Sequence, residues 1–78
     1  MTDRTIQERQ IMVGSRVELV RLGGYAPGWA NALRKLLYEP GVVRDVGEGP
    51  HAGEVRVEYP DGTRLWLLRR NLRLHRRL

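Results

Sequence analysis

The stretch Glu54 to Leu68 (EVRVEYPDGTRLWLL) limits the folds open to this chain more than any other segment. Val55, Val57 and Tyr59 alternate with Glu54, Arg56 and Glu58, the period-two pattern of a strand that buries one face. Pro60-Asp61-Gly62 supplies the turn. Proline fixes φ at the first corner, aspartate suits the second, and glycine accepts the left-handed conformation. A type I turn with Gly62 as the bulge residue closes a three-residue loop. It predicts the pairs Tyr59–Thr63, Glu58–Arg64, Val57–Leu65, Arg56–Trp66 and Val55–Leu67. In this register Val55, Val57, Tyr59, Leu65 and Leu67 share the core face, and Glu58 faces Arg64 as an attractive cross-strand pair. A two-residue loop would set Glu58 against Leu65 and move a whole side-chain set across the sheet. Trp66 falls on the outer face, beside Arg56.

The other elements are weaker signals. Residues 1–12 read as a flexible lead-in, 13–74 as the folded domain and 75–78 as a basic tail. A first strand runs from Arg16 to Leu22, with Val17 and Leu19 alternating against Arg16, Glu18 and Val20. Gly23-Gly24-Tyr25-Ala26-Pro27-Gly28 breaks it. A helix is expected over about Trp29 to Tyr38, because Trp29, Leu33, Leu36 and Leu37 form one apolar stripe and Pro40 forbids continuation. Gly41 to Val46 is a β-branched second strand, and Gly47 to Gly53 is a loop by composition. After the hairpin, Arg69-Arg70-Asn71 reads as one 3₁₀ turn before a short strand, Leu72 to Leu74.

Five short strands in this order resemble a small SH3-like barrel of the Tudor and KOW kind, mainly all-β, with a short helix inserted between the first and second strands. Gly14-Ser15-Arg16-Val17, Pro40-Gly41-Val42-Val43, Val55 to Gly62 and Leu68 to Leu72 carry the resemblance, which covers residues 14–74. These motifs specify strands and turns, not a ligand. The resemblance implies that the long first loop and the last hairpin carry a binding surface.

Charge narrows the function. Five of the fourteen basic residues lie in 69–78, leaving nine basic against nine acidic residues in the first 68, so the net +5 resides in the last ten residues. All basic residues but Lys35 are arginine, the side chain suited to bidentate contacts with phosphate or carboxylate. There is no cysteine, which removes disulfides and thiolate metal sites. His51 and His75 lie far apart without clustered carboxylates, and Asp45, Glu48 and His51 suit a solvated loop, so neither metal nor cofactor is expected. Ser15, the only serine, stands at a strand start with no histidine nearby, and no phosphate-cradling glycine loop is present, so no enzymatic activity is expected. No apolar run reaches the ~18 residues of a membrane span and the N-terminus lacks a signal peptide's apolar segment, so a soluble cytoplasmic protein is the expectation.

The expected function is a non-enzymatic binding module of a bacterium or phage that contacts nucleic acid, DNA or RNA. Arg56, Arg64 and Trp66 would form a stacking platform, and Arg69, Arg70, Arg73, Arg76 and Arg77 would supply charge to phosphates. The alternative is an accessory subunit that docks on a larger protein complex through Trp29, Leu33 and Leu37, or through Trp66 and Leu68. The same arginines also fit a solvated edge strand charged against aggregation.

Overall fold

The computed structural model describes residues 10–75; the tail arginines Arg76 and Arg77 and most of the lead-in lie outside the described residues. Five strands, β1 (Arg16–Leu19), β2 (Pro40–Val46), β3 (Glu54–Glu58), β4 (Arg64–Leu68) and β5 (Leu72–Leu74), form one antiparallel sheet in the order β4-β3-β2-β1-β5. The helix α1 (Pro27–Leu33) lies in the connection between β1 and β2. The protein is mainly β, and among the described residues no ladder joins β4 to β5, so the sheet is open.

The hairpin has the register its turn dictates, with Glu58 opposite Arg64, Val57 opposite Leu65, Arg56 opposite Trp66 and Val55 opposite Leu67. The Gly62 N–H donates to the Tyr59 carbonyl and the Tyr59 N–H to the Thr63 carbonyl, both at 2.8 Å, and Gly62 takes φ +90°. Asp61 holds the corner by accepting the Thr63 N–H at 2.9 Å. Val55, Val57, Tyr59 and Leu67 point into a core that also contains Val17, Leu19, Val43, Leu72, Ile11 and Leu33. Each fully buried Val or Leu is worth about 1.5–3 kcal/mol, so this cluster is the main source of stability in so short a chain. Ile11, assigned by sequence to the lead-in, is part of it.

Three elements differ from expectation. β1 ends at Leu19 rather than Leu22, because beyond Leu19 its backbone turns to the 3₁₀ segment at Arg69–Asn71, and the Val20 N–H reaches the Asn71 carbonyl at 2.9 Å. β2 carries a bulge at Arg44, between the Val43–Val57 and Asp45–Arg56 pairs. Unbroken alternation would set Arg44 against Arg56; the extra residue instead presents Asp45 to Arg56 and leaves Arg44 exposed. The helix is also shorter than its apolar stripe. It closes at Leu33, tightens into a 3₁₀ turn at Arg34–Leu36, and yields to a parallel bridge between Leu37 and Leu19. It has no side-chain N-cap and no acidic residue in its first turn, so a tertiary hydrogen bond from the Tyr38 N–H to the Leu19 carbonyl (2.9 Å) competes successfully with further helix.

That bond leaves Tyr38 at φ +66°, left-handed for a residue with a Cβ, while its side chain is 61% exposed. Tyr38→Gly is therefore expected to raise stability by about 0.5–1 kcal/mol, measured by urea unfolding, because it relieves backbone strain and gives up little packing.

Candidate nucleic-acid interface

The expected platform on the β3–β4 ribbon is occupied by internal pairings. The Arg56 Nε donates to Asp45 at 2.7 Å, and the Arg64 Nε donates to Glu58 at 2.7 Å. Trp66 is half-buried. The His51 ring stacks on it at 4.3 Å between centroids and 10° between planes, and the Arg56 guanidinium lies 5.6 Å from the indole centroid. Trp66 is thus neither open nor sealed beneath α1; an imidazole from the loop before β3 takes one face.

The Gly47 to Gly53 loop delivers that imidazole: the solvated-loop reading holds for the exposed Glu48, whereas Asp45 lies in β2 against Arg56 and His51 is half-buried against Trp66 and Glu54. The loop makes a 3₁₀ turn at Gly49–His51. The Gly47 N–H closes its base on the Glu54 carbonyl at 2.8 Å, and Glu54 Oε1 lies 2.9 Å from His51 Nδ1. Gly47 must lack a side chain, since a Cβ there would overlap the His51 carbonyl. Among the described residues no group of three or more His, Cys, Asp or Glu could hold a metal ion, and no helix is long and apolar enough to cross a membrane.

The second half of the expected site sits at the other side of the sheet. Glu18, placed by alternation on the solvent face, is only 8% exposed because Arg73 lies directly opposite it in β5 and covers it. Arg73 Nε donates to Glu18 Oε1 at 2.9 Å, and His75 Nδ1 lies 3.1 Å from Oε2. Burial pushes this carboxyl up, but the hydrogen bonds and charges of Arg73 and His75 outweigh it and hold the pKa below the ordinary glutamate value.

Further arginines lie on β1, just after it and in the turn before β5. Arg16 opens β1, and its carbonyl accepts the His75 N–H at 2.8 Å. Arg21 donates to the Arg70 carbonyl at 2.7 Å, while the Arg70 guanidinium lies over Gly24, where a Cβ would collide with it. The turn bearing Arg69 and Arg70 is pinned by the buried Asn71 amide, which donates to the Gly23 carbonyl at 2.7 Å, and by the Tyr25 hydroxyl, which accepts the Leu68 N–H at 2.8 Å. Arg69 Nε is buried with no hydrogen-bond partner among the described residues. Among these residues Arg44, Arg56, Arg64 and Arg73 each have a carboxylate within 4.0 Å, whereas Arg16, Arg21, Arg69 and Arg70 have none. Arg56 and Arg64 thus belong to an ion-paired lattice, Arg73 to the β1–β5 ladder, and Arg69 and Arg70 to the turn that leads into β5. Sequence reasoning did not place Arg16, Arg21, Glu18 or His51 in the site, because none belongs to a local charge run or motif.

The expected docking residues also separate. Leu33 is buried, and Leu37 and Leu68 are half-buried, but Trp29 is 44% exposed. Trp29, Leu33, Leu36 and Leu65 line a shallow groove of about 230 Å³ between α1 and the β3–β4 turn. Comparison with protein-family models, with curated proteins and with solved structures finds no match for this chain.

Proposed function

We propose that this chain is a small, non-enzymatic module of the SH3-like barrel kind that binds nucleic acid through the phosphate backbone. Five short strands with a 3₁₀ turn before the last support the barrel reading. The observation that carries the nucleic-acid reading is that Arg16, Arg21, Arg69 and Arg70, on β1, just after it and in the turn before β5, have no carboxylate within 4.0 Å among the described residues, with Arg76 and Arg77 following in sequence. A phosphate contact needs a guanidinium free of a competing carboxylate, and Arg16, Arg21, Arg69 and Arg70 meet that requirement better than Arg56 or Arg64. Trp66 joins such an interface only where a base replaces His51 or uses the opposite face.

A mobility-shift titration with random DNA and RNA at two salt concentrations tests this. Binding should weaken steeply with salt, with a log–log slope near −0.9 per neutralised phosphate on duplex DNA. Arg21→Gln and Arg70→Gln should each lower the slope by about one. Absence of a shift at low salt would overturn the reading. The exposed Trp29 and the groove beside it favour a second reading, docking on a larger protein complex, which salt should hardly affect.

A further inference from the structure

A cavity of about 360 Å³ opens on the outer face of the sheet, away from both Trp66 and α1. Its lining includes Arg16, Val42, Arg44, Glu58, Pro40 and Pro60, contributed by β1, β2 and the end of β3. Arg16 lies opposite Val42 on one side, and Glu58 lies opposite Val42 on the other, so a half-buried valine flanked by two prolines makes an apolar floor. Arg16 from β1 and Arg44 from β2 both line the cavity over that floor.

The two arginines are also available. Arg16 has no carboxylate within 4.0 Å among the described residues. Arg44 reaches Glu58 only at 3.7 Å, while Arg64 already holds the same carboxylate at 2.7 Å. Alternation from the buried Val43 sets Arg44 on the outer face, and the bulge in β2 leaves it without a cross-strand partner, because Asp45 takes the place opposite Arg56. An incoming dianion can therefore take Arg44 from Glu58 at little cost, because Arg64 remains to neutralise that acid.

We propose that this cavity binds a phosphate monoester carried on a small organic body, of which a nucleoside 5′-phosphate is the fitting size. The phosphate dianion sits between Arg16 and Arg44, each offering a forked pair of N–H donors, and the body lies on Val42, Pro40 and Pro60. The volume is at the lower end of the range for small-molecule sites, which suits one nucleotide and not a longer segment. A 5′-phosphorylated strand end presents the same group, and to that extent the inference rests on the nucleic-acid reading; a free nucleotide does not need it.

The test is amide NMR titration with AMP, inorganic phosphate, adenosine and acetate, and with short oligonucleotides carrying a 5′-phosphate or a 5′-hydroxyl. AMP should shift the Gly41, Val42 and Arg44 amides saturably and inorganic phosphate should do so more weakly; adenosine and acetate should not. Arg16→Gln and Arg44→Gln should each weaken AMP by about tenfold or more, the loss expected for a charge-assisted contact, with thermal unfolding nearly unchanged because both side chains are exposed. Arg70→Gln should leave AMP binding intact. Discrimination between the two oligonucleotides identifies a strand end as the source of the phosphate, and AMP alone identifies a free nucleotide; both support the pocket. Acetate matching phosphate, or AMP affinity unaltered in both variants, would overturn it. Oligonucleotide binding lost in Arg21→Gln and Arg70→Gln, with no AMP shifts at Val42, would overturn the pocket and leave the nucleic-acid reading standing.

Discussion

Leu67→Ala should cost about 2–5 kcal/mol and leave the protein close to its unfolding threshold at 25 °C. Leu67 has no exposed surface, and it sits at the centre of the inner face, opposite Val55 and among the side chains of the core. Truncation removes its transfer free energy and leaves a cavity that a strand-bound backbone cannot collapse to fill. At 0.05–0.15 kcal/mol per residue, a chain of 78 residues has a total stability on the order of 4–12 kcal/mol, so one such cavity consumes much of the margin. Chemical denaturation measures the loss directly. Leu67→Met, which conserves volume, should cost less than about 1.5 kcal/mol, so equal losses in the two variants would show that the site is not packed as described.

Glu18→Gln has two opposite consequences. It should reduce stability by about 1–3 kcal/mol at neutral pH, since the substitution removes a buried counter-ion from Arg73 and His75 and leaves their donors weakly satisfied. The same change should strengthen oligonucleotide binding, because it removes the carboxylate that holds Arg73 and frees that guanidinium for phosphate. Stability and binding are rarely expected to move apart in this way. A variant that is both less stable and weaker in binding would count against the proposed interface.

The pH dependence has a definite sign. The folded pKa of Glu18 is lowered, so its stabilisation is complete above the ordinary glutamate value of 4.5 and is lost as pH falls through the folded pKa. Wild-type protein should therefore lose stability below about pH 4.5 more steeply than Glu18→Gln, which cannot titrate there. Thermal unfolding between pH 3 and pH 7 compares the two chains. Parallel curves would mean that the Arg73 and His75 contacts do not hold the carboxylate in solution.

How much could be read in advance depended on distance along the chain. The β3–β4 hairpin was fully legible: proline, aspartate and glycine choose the turn, the turn chooses the register, and the alternation of Val55, Val57, Leu65 and Leu67 chooses the buried face. The 3₁₀ turn at Arg69–Asn71 and the strand after it were legible for the same reason. The helix was legible only in part. Its apolar stripe is present, but the carbonyl that accepts the Tyr38 N–H, and so draws the chain out of the helix, belongs to Leu19 in a different element.

The candidate site followed the same division. The excess of arginine and its location near the C-terminal end were evident from the residues alone. Which arginines remain available was not, because that depends on carboxylates brought from elsewhere. Asp45 meets Arg56 eleven positions away only because a bulge in β2 shifts the register. Glu18 meets Arg73 across a separation of 55 residues, and only because β5 returns to pair with β1. His51 looked like a loop residue until Gly47 let the loop fold tightly enough to place its ring on Trp66.

Sequence alone thus determined the turn, the alternation and the net charge, since backbone sterics and burial act between residues a few positions apart. Tertiary structure decided which charges are neutralised, which face of Trp66 is taken and which arginines line a common cavity. Those outcomes are set by Coulomb and stacking contacts that act over a few ångströms in space and are blind to separation along the chain.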